Sequence, residues 1–310
     1  MRLRAACAGI LTTTLVMAPG VRATDCTRQA VGPQIPISDP GGVGMYPDGT
    51  NVRPFDHEQR GVALAAAIKA SPGPHVFTAI GMSVTKNEMQ GLRNAAKTVP
   101  HNPAVVVVNC AQNGATAEEW SNWPGGPWAG CDSMLANAGY NRFQVKVVLV
   151  KLTRQKPNYG LDFFKSELTR EWRQTMLNAA AHFPNLTMTY HTGRSFGGYD
   201  DQYNNGEPYA YATGEVAKQI VADSINDPTL TWADWSIDQW ADGASARVRD
   251  GFKWVCDPNP YRFKNGEWIP TYKYSDVGSD GVHQTALGVQ KQVTKLLAWL
   301  AEDATTLWWR

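Results

Sequence analysis

Apolar residues fall in short unbroken runs along this chain, and most runs are followed by a segment of helical periodicity. His75–Gly81 is such a run, with a helical stretch from about Thr85 to Lys97 after it. Ala104–Asn109 precedes a helical pattern from about Thr116 to Ala138, interrupted at Trp123-Pro124-Gly125-Gly126-Pro127. Gln144–Lys151 precedes a helix from about Leu161 to Phe183, and Leu186–His191 precedes one from about Glu207 to Ser224. Strands that are apolar on both faces, alternating with helices, belong to a parallel sheet covered on each side. The fold class expected is therefore α/β, with a parallel sheet covered on both faces.

Two regions depart from the alternation. Residues 24–60 are rich in Pro and Gly and read as an irregular lead-in. Residues 226–274 are Trp-rich and short-patterned, which predicts a surface excursion and a final strand near Phe252–Cys256. A closing helix is expected from about Thr285 to Asp303, with Val289, Val293, Leu296, Leu297 and Leu300 on one face. There are no internal repeats, and residues 24–310 read as a single domain.

The chain has 310 residues, 43% hydrophobic and 18% charged, enough for a substantial core. A formal net charge of +1 offers nothing to a nucleic acid or an anionic membrane. Residues 1–23 read as a signal peptide: Arg2 and Arg4, an apolar stretch from Ala5 to Met17, and Val21-Arg22-Ala23. That stretch is too short to span a bilayer, and no other stretch qualifies, so a secreted or periplasmic protein is expected. Its removal takes three arginines (Arg2, Arg4, Arg22) and no acid, lowering the net charge from +1 to about −2.

It would also remove Cys7 and leave Cys26, Cys110, Cys131 and Cys256. Four cysteines in an exported chain suggest two disulfides with three possible connectivities. Cys110–Cys131 with Cys26–Cys256 is favoured, because the first pair flanks one loop-helix segment. Their spacing matches no zinc pattern, so no metal is expected.

Ligands of open parallel sheets bind at the carboxyl ends of the strands, which directs attention to the segment after each run. Asp280 lies three residues before His283, just ahead of the closing helix. A carboxylate so placed can hold an imidazole as the general base for a serine. Two serines are candidates. Ser83 follows the first strand and opens a helix, where its backbone N–H favours an oxyanion; the plain alternative is a helix cap. Ser195, in Gly193-Arg194-Ser195-Phe196-Gly197, matches the nucleophile-elbow pattern, but loop sequence follows it where the elbow needs a helix. Gly114, after the second strand, can bring a backbone N–H to a substrate oxygen.

Ser83 after strand one, Gly114 after strand two and Asp280-x-x-His283 before the last helix together resemble the SGNH (GDSL-type) hydrolase superfamily, over most of residues 75–300. The resemblance implies a flavodoxin-like three-layer α/β/α sandwich with a parallel sheet of about five strands, and ester hydrolysis through an acyl-enzyme. It implies Ser83 as nucleophile, His283 as base and Asp280 as its orienting acid, with N–H groups of Ser83 and Gly114 in the oxyanion hole. No metal or cofactor is implied.

The chain departs from the family pattern in two places. Gly81-Met82-Ser83 stands for Gly-Asp-Ser, and Lys151 to Asn158 lack Gly-x-Asn-Asp. Asn158 or Gln155 could supply the missing amide, and Lys151 could contact the substrate and stabilise charge directly, or simply cap the strand end. His191, at the end of the fourth strand, and Arg194 are further candidates for substrate binding, the plain alternative for His191 being a hydrogen-bonded structural histidine. Trp123, Trp128, Trp232, Trp235 and Trp240 could stack on sugar rings, which points to an O-acetylated glycan as the substrate. A catalytically silent ligand-binding protein on the same fold is the alternative.

Overall fold

The computed structural model describes residues 44–155, 160–195, 206, 208–237 and 276–310, and the strand backbones at 247–250, 253–256, 261–264 and 267–270. The signal-peptide reading of residues 1–23, Cys26, Asn158 and Trp240 lie outside the described residues. So does the side chain of Cys256.

In chain order the main elements are α1 (Phe55–Ala70), β1 (His75–Gly81), α2 (Ser83–Ala95), β2 (Val105–Val107), α3 (Ala117–Ser121) and α4 (Pro127–Asn137). Then follow β3 (Val145–Lys151), α5 (Leu161–His182), β4 (Met188–His191), α6 (Tyr209–Asn226) and β5 (Trp232–Trp235). Two antiparallel ribbons, β6 (Arg247–Asp250) with β7 (Lys253–Cys256) and β8 (Tyr261–Lys264) with β9 (Glu267–Pro270), precede α7 (Ala286–Glu302).

β1 to β5 form one parallel sheet in the order β2-β1-β3-β4-β5. This is the flavodoxin-like order, and the direction in which successive strands are added reverses between β1 and β3. Alternation along the strands divides the core in two. Val147 and Leu149 of β3 pack with Ala65 of α1, Met89 and Leu92 of α2, and Leu296 and Leu300 of α7. Val148 and Val150 pack on the opposite face with Trp120, Trp128, Phe164, Trp172 and Val216, from α3 to α6. The fold is thus the three-layer α/β/α sandwich.

Two expected elements are corrected. The fifth strand of the sheet is Trp232–Trp235, not Phe252–Cys256; Lys253–Cys256 pairs with Arg247–Asp250 in its own ribbon. β5 escapes an apolar-run reading because Asp234 sits within it, fully buried. Its carboxylate is compensated from far along the chain, by an ion pair with Arg53 and a hydrogen bond from Tyr46 Oη at 2.9 Å. The lead-in to residue 60 also already contains the start of α1. That helix buries small residues, Gly61 and Ala65 with Ile68, so it has no stripe of large apolar side chains to announce it.

The tryptophans are reassigned by the same core. Trp128, Trp232 and Trp235 are buried and cannot stack on a ligand. Trp123 is 44% exposed and donates to His182 Nδ1 at 3.3 Å. Cys110 and Cys131 are disulfide-bonded, closing a separation of 21 residues that includes α3 and the turn carrying Gly114.

Candidate active site

Ser83 is the first residue of α2, and Met82, in extended conformation, is the N-cap. The Ser83 hydroxyl is therefore free of capping duty and turns to the imidazole of His283, with Oγ 2.6 Å from Nε2. On the other side of the ring, Nδ1 lies 2.6 Å from Asp280 Oδ2. A carboxylate accepts from Nδ1–H, which leaves Nε2 with its lone pair toward the serine O–H. The three groups form a connected line, carboxylate to imidazole to hydroxyl.

Local chain geometry explains how Asp280 and His283 meet. Asp280 Oδ1 accepts the backbone N–H groups of Val282 and His283, each at 3.0 Å, which closes a turn and points Oδ2 at the ring. Gly281 completes the turn at φ 68°, a conformation that glycine adopts without a Cβ clash. Gly278 N–H donates to His283 O at 2.6 Å and Thr285 N–H to Asp276 O at 2.9 Å, so the loop is pinned at both ends. Burial pushes the Asp280 carboxyl up, but the bonds from His283 and from the N–H groups of Val282 and His283 outweigh it and hold it below its usual value.

Packing of α7 on α2 brings His283 to Ser83 across 200 residues of sequence. Gly91 of α2 makes the close approach possible: a Cβ there would stand 2.7 Å from Val293 Cγ2 and 2.8 Å from Val289 Cγ1.

The hydroxyl opens into a cleft of about 140 Å³ at the β1/β3 reversal, lined by Met82, Thr85, Lys151, Gln155, Arg194 and Val282 among others. The larger cavity of about 550 Å³ lies at the far side of α5 and α6 and contains none of the candidate residues. The Ser83 cleft is the chemically relevant one, because titratable and nucleophilic groups converge there.

The other candidates divide. Gly114 has φ +74° in a turn closed by Ala115 N–H to Gln112 O, and Gln112 N–H donates to Gly81 O at 3.1 Å. That bond ties the Gly114 turn to the end of β1, two residues before Ser83. Arg194 lines the cleft and Gln155 is its described amide.

Lys151 also lines the cleft, but it is buried and its ammonium donates to Glu88 Oε2 at 3.1 Å. The sequence reading missed Glu88, although a signal was present. Val84, Glu88 and Leu92 recur every four residues, so a carboxylate sits on the buried face of α2.

Ser195 has another partner: its Oγ accepts from Gln284 Nε2 at 3.1 Å.

His191 is corrected outright. It is fully buried and belongs to the core. Its side chain follows Thr189 onto the α5 face of β4, where Trp172 Nε1–H donates to Nδ1 at 3.1 Å. Nε2 therefore carries the proton and donates to Thr189 Oγ1 at 3.0 Å, and Thr189 donates to Trp232 O at 3.2 Å. Burial pushes the imidazole down to about 3.

No family model matches this chain, and no curated protein does. Among solved structures it is similar to a protein assigned as an acylhydrolase from Bacteroides fragilis, at 12% identity and TM-score 0.40, covering 82% of this chain and 100% of that one. A protein assigned as a platelet activating factor, from Streptococcus pneumoniae, has 13% identity and TM-score 0.39 over 79% of this chain and 92% of its own. The C-terminal catalytic domain of peptidoglycan O-acetyltransferase A from Streptococcus pneumoniae has 14% identity and TM-score 0.35 over 74% and 94%.

Proposed function

We propose that this chain is an SGNH-type serine hydrolase that cleaves short acyl esters through an acyl-enzyme. The observation that carries the reading is the pair of 2.6 Å contacts joining Ser83, His283 and Asp280. A serine, a base and an orienting acid in hydrogen-bond sequence are the parts nucleophilic catalysis requires.

Ser83 Oγ attacks the ester carbonyl while its proton passes to His283 Nε2. Asp280 holds the ring in the required tautomer and stabilises the imidazolium. The negative charge on the former carbonyl oxygen is met by the Ser83 N–H at the start of α2 and by the Gly114 N–H. His283 then returns the proton to the departing alcohol, and a water molecule, activated by the same base, releases the acid.

The narrow cleft supports a small acyl group such as acetyl. The alcohol is left open, because Trp128, Trp232 and Trp235, three of the five tryptophans that pointed to a glycan, are core residues. Export is part of the proposal, supported by the signal-like residues 1–23 and by the Cys110–Cys131 bridge.

The test is hydrolysis of p-nitrophenyl acetate, with mass spectrometry of the protein after treatment with a fluorophosphonate. Turnover and a single adduct on Ser83 are expected. Absence of both in folded protein would favour a silent binding protein.

A further inference from the structure

The floor of the Ser83 cleft carries an ion pair with both members out of water. Lys151 Nζ lies 3.1 Å from Glu88 Oε2, and the side chains are 2% and 0% exposed. Such a pair is a poor device for stability, since its desolvation cost commonly cancels its attraction, and apolar replacements of similar volume are often neutral or better. Its location is the informative fact. Lys151 ends β3, pairs in register with Gly81, and lines the cleft into which the Ser83 hydroxyl opens.

Two further features fix the pair's orientation. Alternation along β3 sends Lys151 to the same side as Val147 and Leu149, toward α2. Glu88 lies on α2 behind the cleft, five residues after Ser83, and is not among the lining residues. Lys151 is thus the member of the pair that borders the cleft, and Glu88 is its buried partner. Thr85 Oγ1 donates to Lys151 O at 3.3 Å, which ties the first turn of α2 to the end of β3 and keeps the lysine in register with the serine.

We propose that Lys151, held in place by Glu88, is a catalytic group that stabilises the negative charge developing on the ester carbonyl oxygen. This rests on the serine-hydrolase reading above. During attack the Ser83 proton moves to His283 and the carbonyl electron pair moves to oxygen. Lys151 keeps its own proton throughout and contributes charge from a buried position, where a fixed cation is weakly screened. When the intermediate collapses, the pair returns to the carbonyl and the alcohol leaves with the proton from His283. The lysine supplies what the absent Gly-x-Asn-Asp segment does not.

The experiment compares the wild type with the double variant Lys151→Met/Glu88→Leu, which removes both charges of the pair together. Unfolding, p-nitrophenyl acetate kinetics and inhibition by a trifluoromethyl ketone are measured, the last because its hemiketal oxyanion occupies the same position. The expected result is a kcat lower by about 10²-fold, a KM within about twofold, and a Ki raised by the factor lost in kcat/KM. A double variant that keeps kcat and Ki within about twofold overturns the proposal and leaves the pair as a tie between α2 and β3.

If the double variant does not fold, Lys151→Arg and Lys151→Gln with Glu88 in place make the comparison. Retained charge should keep Ki low and lost charge should raise it; equal values overturn the proposal. Wild type that neither hydrolyses esters nor takes the fluorophosphonate on Ser83 would instead sink the hydrolase reading, and this inference with it.

Discussion

Gln284 Nε2 donates to Ser195 Oγ at 3.1 Å, one residue beyond the histidine whose ring meets Ser83. The two candidate serines therefore sit against adjacent residues of one loop, with different partners. Ser195 holds the loop through an amide, and Ser83 faces the imidazole.

This division predicts unequal alanine variants. Ser83→Ala should lose at least about 10³-fold in kcat/KM on p-nitrophenyl acetate, the scale seen when a triad nucleophile is removed. Ser195→Ala should lose no more than about tenfold, through a looser loop, and should still take the fluorophosphonate on Ser83. A Ser195→Ala variant as inactive as Ser83→Ala would overturn the assignment.

Asp280→Asn should reduce kcat by about 10³- to 10⁴-fold while leaving the melting temperature nearly unchanged. The amide can keep the turn through Oδ1, but it cannot enforce the Nδ1–H tautomer. The carboxyl is held below its usual value, so wild-type Asp280 stays ionised well into acid. A variant retaining more than about a tenth of wild-type kcat would show that the carboxylate is dispensable.

Gly91→Val should separate α2 from α7. Its Cβ would enter the space held by Val289 and Val293, and both neighbours are β-branched and stiff. A displacement of about 1 Å at reacting groups can cost 10²-fold. Kinetics and far-UV circular dichroism should report at least a tenfold drop in kcat/KM with secondary structure intact. Unchanged kinetics would mean that the helices do not set the Ser83–His283 distance.

Acid should destabilise the fold through two buried histidines. Burial lowers His191 to about 3, and burial followed by the charge of Arg60 lowers His57 to about 4, from an ordinary 6.5. The unfolded chain then binds protons that the folded chain refuses. Their stabilising contribution is complete above 6.5 and is lost as the pH falls from there toward the folded values. Protonating His191 would also set an Nδ1–H against the Trp172 N–H. Urea unfolding at pH 5 should give a stability lower by roughly 2 kcal/mol for His191 alone than at pH 7.5. NMR should show no titration of its imidazole above pH 5, and a midpoint near 6.5 would contradict the neutral buried state.

The Cys110–Cys131 bridge should stabilise by about 3 kcal/mol, as expected for a loop of this size. The double alanine variant should melt earlier. Because the closed loop contains the Gly114 turn, kcat should fall more than KM rises. Equal melting temperatures would show that the bridge does not form in solution.

Much of the fold could be read before any coordinates, because its signals are local. The four apolar runs became β1 to β4, and helices lie between them, since a strand buried on both faces must be apolar at consecutive positions. Asp280 and His283 are three residues apart, so one turn is enough to join them. The order of Ser83, Gly114 and this pair was also legible, and it pointed to the end of the sheet where Ser83 and His283 meet.

Tertiary structure decided whatever depends on a distant partner. Asp234 hid β5, because a carboxylate can enter a core strand only when Arg53 and Tyr46 arrive to compensate it. His191 looked available for ligand contact until Trp172 and Thr189 occupied both ring nitrogens. Glu88 gains its meaning from Lys151, 63 residues away, and Ser83 from His283, 200 residues away. Sequence periodicity reports which face of an element is buried. It does not report which polar groups will meet inside that face, and that pairing determines the site.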